Sequence, residues 1–121
     1  MANPNIVNVA TISGKTLGAA LTTSTADLVT NTTSSGKIFK INSVYISNID
    51  GTTAAAATLT FYDASAAVTY HVVKTVSVPA DSTLVAISKN EAIYLEEGDK
   101  ISGFADATGD LEVVISYEEI S

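Results

Sequence analysis

The sequence predicts an all-β fold, a two-sheet β-sandwich with jelly-roll-like connections and about eight to ten short strands. Three observations carry that expectation. From Val68 to Val78 the residues alternate, with Val68, Tyr70, Val72, Val76 and Val78 on one side beside Lys74, and Thr69, His71, Val73, Thr75 and Ser77 on the other. That period of two is the side-chain period of a strand, and the valine-rich side is expected to face a core. Leu111, Val113, Ile115 and Tyr117 repeat the pattern near the C-terminus. Between them turn residues punctuate the chain at short intervals and no convincing amphipathic helix occurs, the pattern of a sandwich or barrel that doubles or closes to hide its edges.

Residues 1–36 are rich in Thr, Ser, Ala and Asn. Their apolar pieces, Ile6 to Ile12, Leu17 to Leu21 and Ala26 to Val29, read as short strands separated by Ser13-Gly14-Lys15 and by Thr22 to Thr25. The composition of this first third fits either edge strands or an arm reaching a neighbour. Asn31 to Gly36 is a loop, because Asn and Gly tolerate positive φ while Ser and Thr bond to their own backbone. Lys37 to Ile49 carries apolar groups on both faces, which places it centrally, with a bulge near Asn42 and Ser43 where the phase shifts. Asp50-Gly51 has the composition of a hairpin turn.

Ala55, Ala57, Leu59 and Phe61 then alternate with Ala56, Thr58, Thr60 and Tyr62. The Ala54 to Ala57 run is too short to nucleate a helix, and the β-branched and aromatic residues after it favour extension. Asp63-Ala64-Ser65 turns the chain into the Val68 strand, which Pro79-Ala80-Asp81 ends because proline cannot donate to a ladder. Leu84 to Ser88 and Ala92 to Leu95 are short strands broken by Lys89-Asn90-Glu91. Glu96-Glu97-Gly98-Asp99 is a tight acidic turn into a strand from Lys100 to Phe104. Ala105 to Asp110 is a loop, and Glu118 to Ser121 is a tail after the last strand.

A chain of 121 residues fits a single domain, 1–121, and buries roughly two thirds of the surface its unfolded form exposes. Apolar residues make up 46% and charged residues 16%, too hydrophobic for a disordered chain, yet no run approaches the roughly 18 apolar residues of a membrane helix. The first residues lack the features of a secretory signal, so the protein is expected to stay in the compartment that made it. Without cysteine, disulfides, thiolate nucleophiles and zinc-thiolate sites are excluded. The basic residues are all lysine and the formal charge is −7, so phosphate backbones are repelled and nucleic acid is not an expected partner. An acidic surface serves solubility or docking on a basic protein surface.

Few residues offer chemistry. His71 is the sole histidine and falls on the mixed side of its strand, where an interface or surface role is expected in place of catalysis. Glu96, Glu97 and Asp99 around Gly98, and Asp106 and Asp110 around Gly109, are oxygen-rich turns, but neither has the spacing of a calcium loop, and both are read as solvated turns. Paired carboxylates for sugar cleavage lack tryptophan platforms. Lys15, Lys37, Lys40, Lys74, Lys89 and Lys100 are scattered, and phosphate-loop and dinucleotide fingerprints are missing. Tyr45, Tyr62, Tyr70, Tyr94 and Tyr117 fit either an interface or the rim of the core. No catalytic, metal or cofactor-binding residue is assigned, and no cofactor is expected.

Met1-Ala2-Asn3-Pro4-Asn5-Ile6-Val7, the segment Gly36 to Ser43, Phe61-Tyr62-Asp63, Tyr70-His71, Val78 to Leu84, Ile93 to Asp99, Leu111-Glu112 and Ile115 to Ile120 carry a resemblance along nearly the whole chain. It resembles a family of small virion structural proteins of tailed bacteriophages, marine cyanophages especially. The resemblance implies a protein of the virion, made in the host bacterial cytoplasm, with no active site. Capsid decoration, in which the protein binds and cements the shell, is the preferred role. A neck, collar or tail component is the alternative, and a calcium- or carbohydrate-binding module the alternative of another class. The expected partners are the major capsid protein or other virion proteins, with no membrane. A homo-oligomer, a trimer above others, is expected because symmetry multiplies weak contacts, and residues 1–33 are the expected partner- or subunit-contacting segment.

Overall fold

The computed structural model describes residues 3–121; Met1 and Ala2, part of the expected contact segment, lie outside the described residues. Nine strands occur among the described residues: β1 (Ile12–Ala20), β2 (Ala26–Thr30), β3 (Ile38–Asn48), β4 (Ala55–Asp63), β5 (Val68–Val78), β6 (Thr83–Ile87), β7 (Ile93–Leu95), β8 (Lys100–Ala105) and β9 (Leu111–Ile120), with a 3-10 turn at Lys89–Glu91. One sheet runs β1-β9-β3-β6, with β7 also on β3, and the other runs β2-β8-β4-β5. All pairings are antiparallel. Apart from the β4–β5 hairpin and the step from β6 to β7, successive strands pass from sheet to sheet, and the first lies beside the last, which is the jelly-roll order expected from the sequence.

The core lies between the sheets. Ile41, Val44 and Ile46 of β3 and Leu111, Val113 and Ile115 of β9 meet Ala57 and Leu59 of β4 and Ile101 of β8, each with no measurable exposure. Small alanines facing branched aliphatics let the two layers interdigitate at interior density. The bulge in β3 falls where the sequence predicts it, between Ile41 and Ser43. The extra residue, Asn42, resets the phase so that Ile41 and Val44 both point inward.

Five expectations are corrected. Ser13-Gly14-Lys15 lies inside β1, opposite Glu119, Glu118 and Tyr117; β9 supplies the ladder that these residues would not form alone. Residues 6–11 precede that strand and belong to none. Asp50-Gly51 closes no hairpin, because β3 and β4 lie in different sheets; the turn is held by the Asp50 N–H on Asn48 Oδ1 and the Thr52 N–H on Asp50 Oδ1, each at 2.9 Å. Glu118 to Ile120 form the last part of β9, paired with Ile12–Gly14 on one side and Ile38–Lys40 on the other.

The fifth correction concerns Val68–Val78, which has the expected bounds but not the expected face. β5 is an edge strand, and its register against β4 slips twice, once on each side of Leu59. One slip brings Thr75 to φ 49°, rare for a β-branched residue, with its N–H on Thr58 Oγ1 at 3.1 Å. Val78 is buried and Val72 and Val73 pack at half-burial on the core, while Val68, Tyr70 and Val76 remain 40%, 52% and 39% exposed. Each bulge flips the inward phase, so the alternation of the sequence does not survive as one buried face.

Candidate functional site

The acidic turn between β7 and β8 is a junction of loops. Asp99 is 2% exposed, against the solvated position expected. Its Oδ1 accepts the Ala64 N–H and its Oδ2 the Glu96 N–H, both at 2.9 Å. Burial holds its carboxyl above the usual aspartate range, and the two N–H donors work against that shift. Gly98 donates to the Asn31 carbonyl at 2.7 Å, and the Asn31 N–H returns to the Asp99 carbonyl. The fully buried Asn31 amide donates to the Lys37 and Leu95 carbonyls, and Glu97 Oε2 accepts the Gly36 N–H at 2.7 Å. Glu96 points elsewhere, accepting from Asn3 at 2.6 Å. The carboxylates therefore close three loops and do not converge on one point.

The second acidic pair is also separated in role. Asp106 extends the β4–β8 ladder, its Oδ1 taking the Ala56 N–H, while Asp110 offers its backbone carbonyl to Ile49. Among the described residues no group of three or more His, Asp or Glu could hold a metal ion. His71 is exposed opposite Thr60 on the β5 edge. At one end of the sandwich Glu119 sits between Lys15 and Lys37, 2.9 Å from each ammonium. Lys15 first, then Lys37, hold its carboxyl below the usual glutamate range. Tyr117 stacks on Phe39 with centroids 5.7 Å apart, and Tyr45, Tyr70 and Tyr94 stand exposed, so the tyrosines divide between core rim and surface.

A different surface gathers exposed apolar groups. Val85 of β6, Tyr45 of β3, Val114 of β9 and Gly18 of β1 stand at one register level across the outer face of the β1-β9-β3-β6 sheet. Val85, Tyr45 and Val114 are 51%, 42% and 43% exposed. The next level on one side holds Thr83, Ser47, Glu112 and Ala20, and on the other Ser116 and Thr16 pair. Glu112 is the single charge in this set. Residues far apart in sequence form the row, so only the strand order reveals it.

The N-terminal residues 3–11 run across the other end of this sheet, near Ile38 and Ser121. Thr11 exchanges two backbone hydrogen bonds with Ser121. Asn3, Pro4 and Ile6 face Ile38, Tyr94 and Glu96 across a cleft of about 350 Å³. Ile6 and Val7 are 49% and 83% exposed. Of the segment 1–33, then, β1 and β2 are built into the sheets and residues 3–11 form a surface arm.

No protein-family model and no curated protein matches the chain. Solved structures do. One is from the Bacillus endospore appendages that form disulfide-linked pili, with 15% identity, 92% of this chain and 87% of that one covered, and a TM-score of 0.55. Another is a chain of the capsid structure of Helicobacter pylori bacteriophage KHP30, with 7% identity, coverage of 94% and 90%, and a TM-score of 0.51. A third is the nucleoplasmin-like N-terminal domain of Drosophila FKBP39, with 16% identity, 94% of each chain covered and a TM-score of 0.50. At such identities the likeness establishes the β-sandwich fold and nothing about activity.

Proposed function

We propose that this chain is a virion structural protein of a tailed bacteriophage, a decoration or cement protein that binds the capsid shell and stabilises it. The observation that carries the reading is the weakly charged outer face with Val85, Tyr45 and Val114 in line. On an acidic protein, such a row is where a flat surface docks with little desolvation of charge, and an exposed tyrosine combines apolar area with a polar tip. The sequence resemblance to phage virion proteins and the fold held in common with a phage capsid chain support the same reading. The arm at residues 3–11, with Ile6 and Val7 exposed, adds a second contact toward the major capsid protein. Each contact is weak alone, and repetition over many equivalent shell positions makes attachment firm.

Cryo-electron microscopy of the parent particle tests this. Density for this chain at regular positions on the outer shell is the expected result. Confinement to the neck, collar or tail overturns decoration but keeps a virion role, and absence from the particle overturns both. Tyr45→Glu is expected to empty the shell positions while the purified variant keeps its circular dichroism.

A further inference from the structure

We infer that the free edge of β1 is a strand-addition site whose occupant is β1 of a second copy of this chain. Thr11 and Ser121 exchange both backbone hydrogen bonds at one end of the β1–β9 ladder, and the Leu21 N–H donates to the Leu111 carbonyl at the other. The register between them is unbroken from Ile12–Ile120 to Ala20–Glu112. Antiparallel ladders alternate, so the odd-numbered residues bond to β9, and Ile12, Gly14, Thr16, Gly18 and Ala20 direct their N–H and C=O groups outward.

The other edges are blunted. β5 is bulged twice, carries Lys74 and turns through positive φ at Thr75. β2 has five residues and a register shift between Asp27 and Val29, while β6 has five residues and β7 three. Short, bulged or charged edges deter pairing, and a long regular one invites it. β1 has nine residues without bulge or proline. Its one charge, Lys15, is engaged by Glu119.

The edge is complementary to itself. In an antiparallel pair centred on Thr16, each Thr16 faces the other, Gly14 faces Gly18 and Ile12 faces Ala20, so all five outward residues of both copies bond in about ten hydrogen bonds. A Cβ at Gly14 or Gly18 meets nothing within 4 Å, so no neighbouring side chain crowds the approach. Charge does not oppose the meeting: β1 holds a lysine and no carboxylate in a chain of formal charge −7. The arm leaves the edge clear by running toward Glu96 beyond β7. The result is a twofold pair in place of the trimer expected above.

The purified chain tests this without reference to any virion. Light scattering across a concentration series is expected to give twice the protomer mass at high concentration and a monomer on dilution. Hydrogen exchange is expected to protect the Gly14, Thr16 and Gly18 amides only in the dimer and those of Ser13, Lys15 and Leu17 in both states. Thr16→Pro removes an outward N–H that β9 does not use, and should weaken pairing by about thirtyfold or more. Should Thr16→Pro fail to fold, Gly14→Lys, which places its charge in open space, decides. A monomer at every concentration, a trimer, a dimer that Gly14→Lys leaves intact, or a dimer whose outward amides stay unprotected would each overturn the inference.

Discussion

Asp99 illustrates how a carboxylate in a turn can be structural and costly to alter. With both oxygens taken by backbone N–H groups at 2% exposure, Asp99→Asn must set an amide N–H against one of those donors. The expected loss is about 1–3 kcal/mol in chemical denaturation. Its titration adds a signature. Folded Asp99 binds its proton at higher pH than the unfolded chain, so its contribution to stability rises as pH falls through that elevated value. Glu119 acts in the opposite sense: its contribution is complete above the ordinary glutamate range and is lost as pH falls through its depressed folded value. Asp99→Asn should therefore lose stability more steeply than wild type on acidification, and Glu119→Gln less steeply, in denaturation midpoints measured against pH. Beside it, Gly98 has φ 92° and an added Cβ would lie 2.8 Å from that of Ala64, whereas Gly109, at φ 97°, has open space. Gly98→Ala should cost about 2 kcal/mol or more and Gly109→Ala about 1, the difference isolating the clash. Nothing in Glu96-Glu97-Gly98-Asp99 announces this. Acidic residues around a glycine look the same whether the turn is solvated or folded over a neighbouring loop.

Strands were legible where their pattern is local. Ala55 to Phe61 and Leu111 to Tyr117 alternate and do bury the expected side, and the phase shift at Asn42 and Ser43 marks a real bulge. Central position was legible for β3, whose apolar groups on both faces placed it inside its sheet, whereas the buried face expected of Val68–Val78 was not found. Val68–Val78 alternates more cleanly than β3, yet it is β3 that lies in the middle of its sheet and β5 that lies on an edge. An alternating edge strand and an alternating central one have the same sequence signature, and the partner's register alone sets where a bulge falls. The outer row of Val85, Tyr45 and Val114 was hidden for the same reason, since it requires knowing that β6, β3 and β9 are neighbours. The corrected placement makes a prediction within β5. Val72 packs at half-burial on the core and Val76 is 39% exposed, so Val72→Asp should cost about 2–3 kcal/mol and Val76→Asp under about 1. Equal losses in thermal or urea unfolding would mean that the two bulges do not exist in solution.

For the whole molecule, the governing fact is that the chain closes by joining its ends. β1 lies against β9, and β9 separates β1 from β3 while contributing Leu111, Val113 and Ile115 to the core with no exposure. Until the last residues are present, β1 has no neighbour in its sheet and the inner layer lacks three of its aliphatic side chains. A chain ending at residue 110 should therefore show the circular dichroism of an unfolded polypeptide, although eight of the nine strand sequences remain. Removing residues 1–8 deletes none of the nine strands and should leave the melting transition close to wild type, with any loss confined to shell attachment. The same closure governs rate. Almost every pairing joins residues distant in sequence, and loop-closure entropy must be spent before those contacts form, so refolding should take milliseconds to seconds. Stopped-flow fluorescence of the tyrosines measures this. A relaxation finished within tens of microseconds would require a locally paired topology, and would contradict the strand order on which both the docking face and the β1 edge depend.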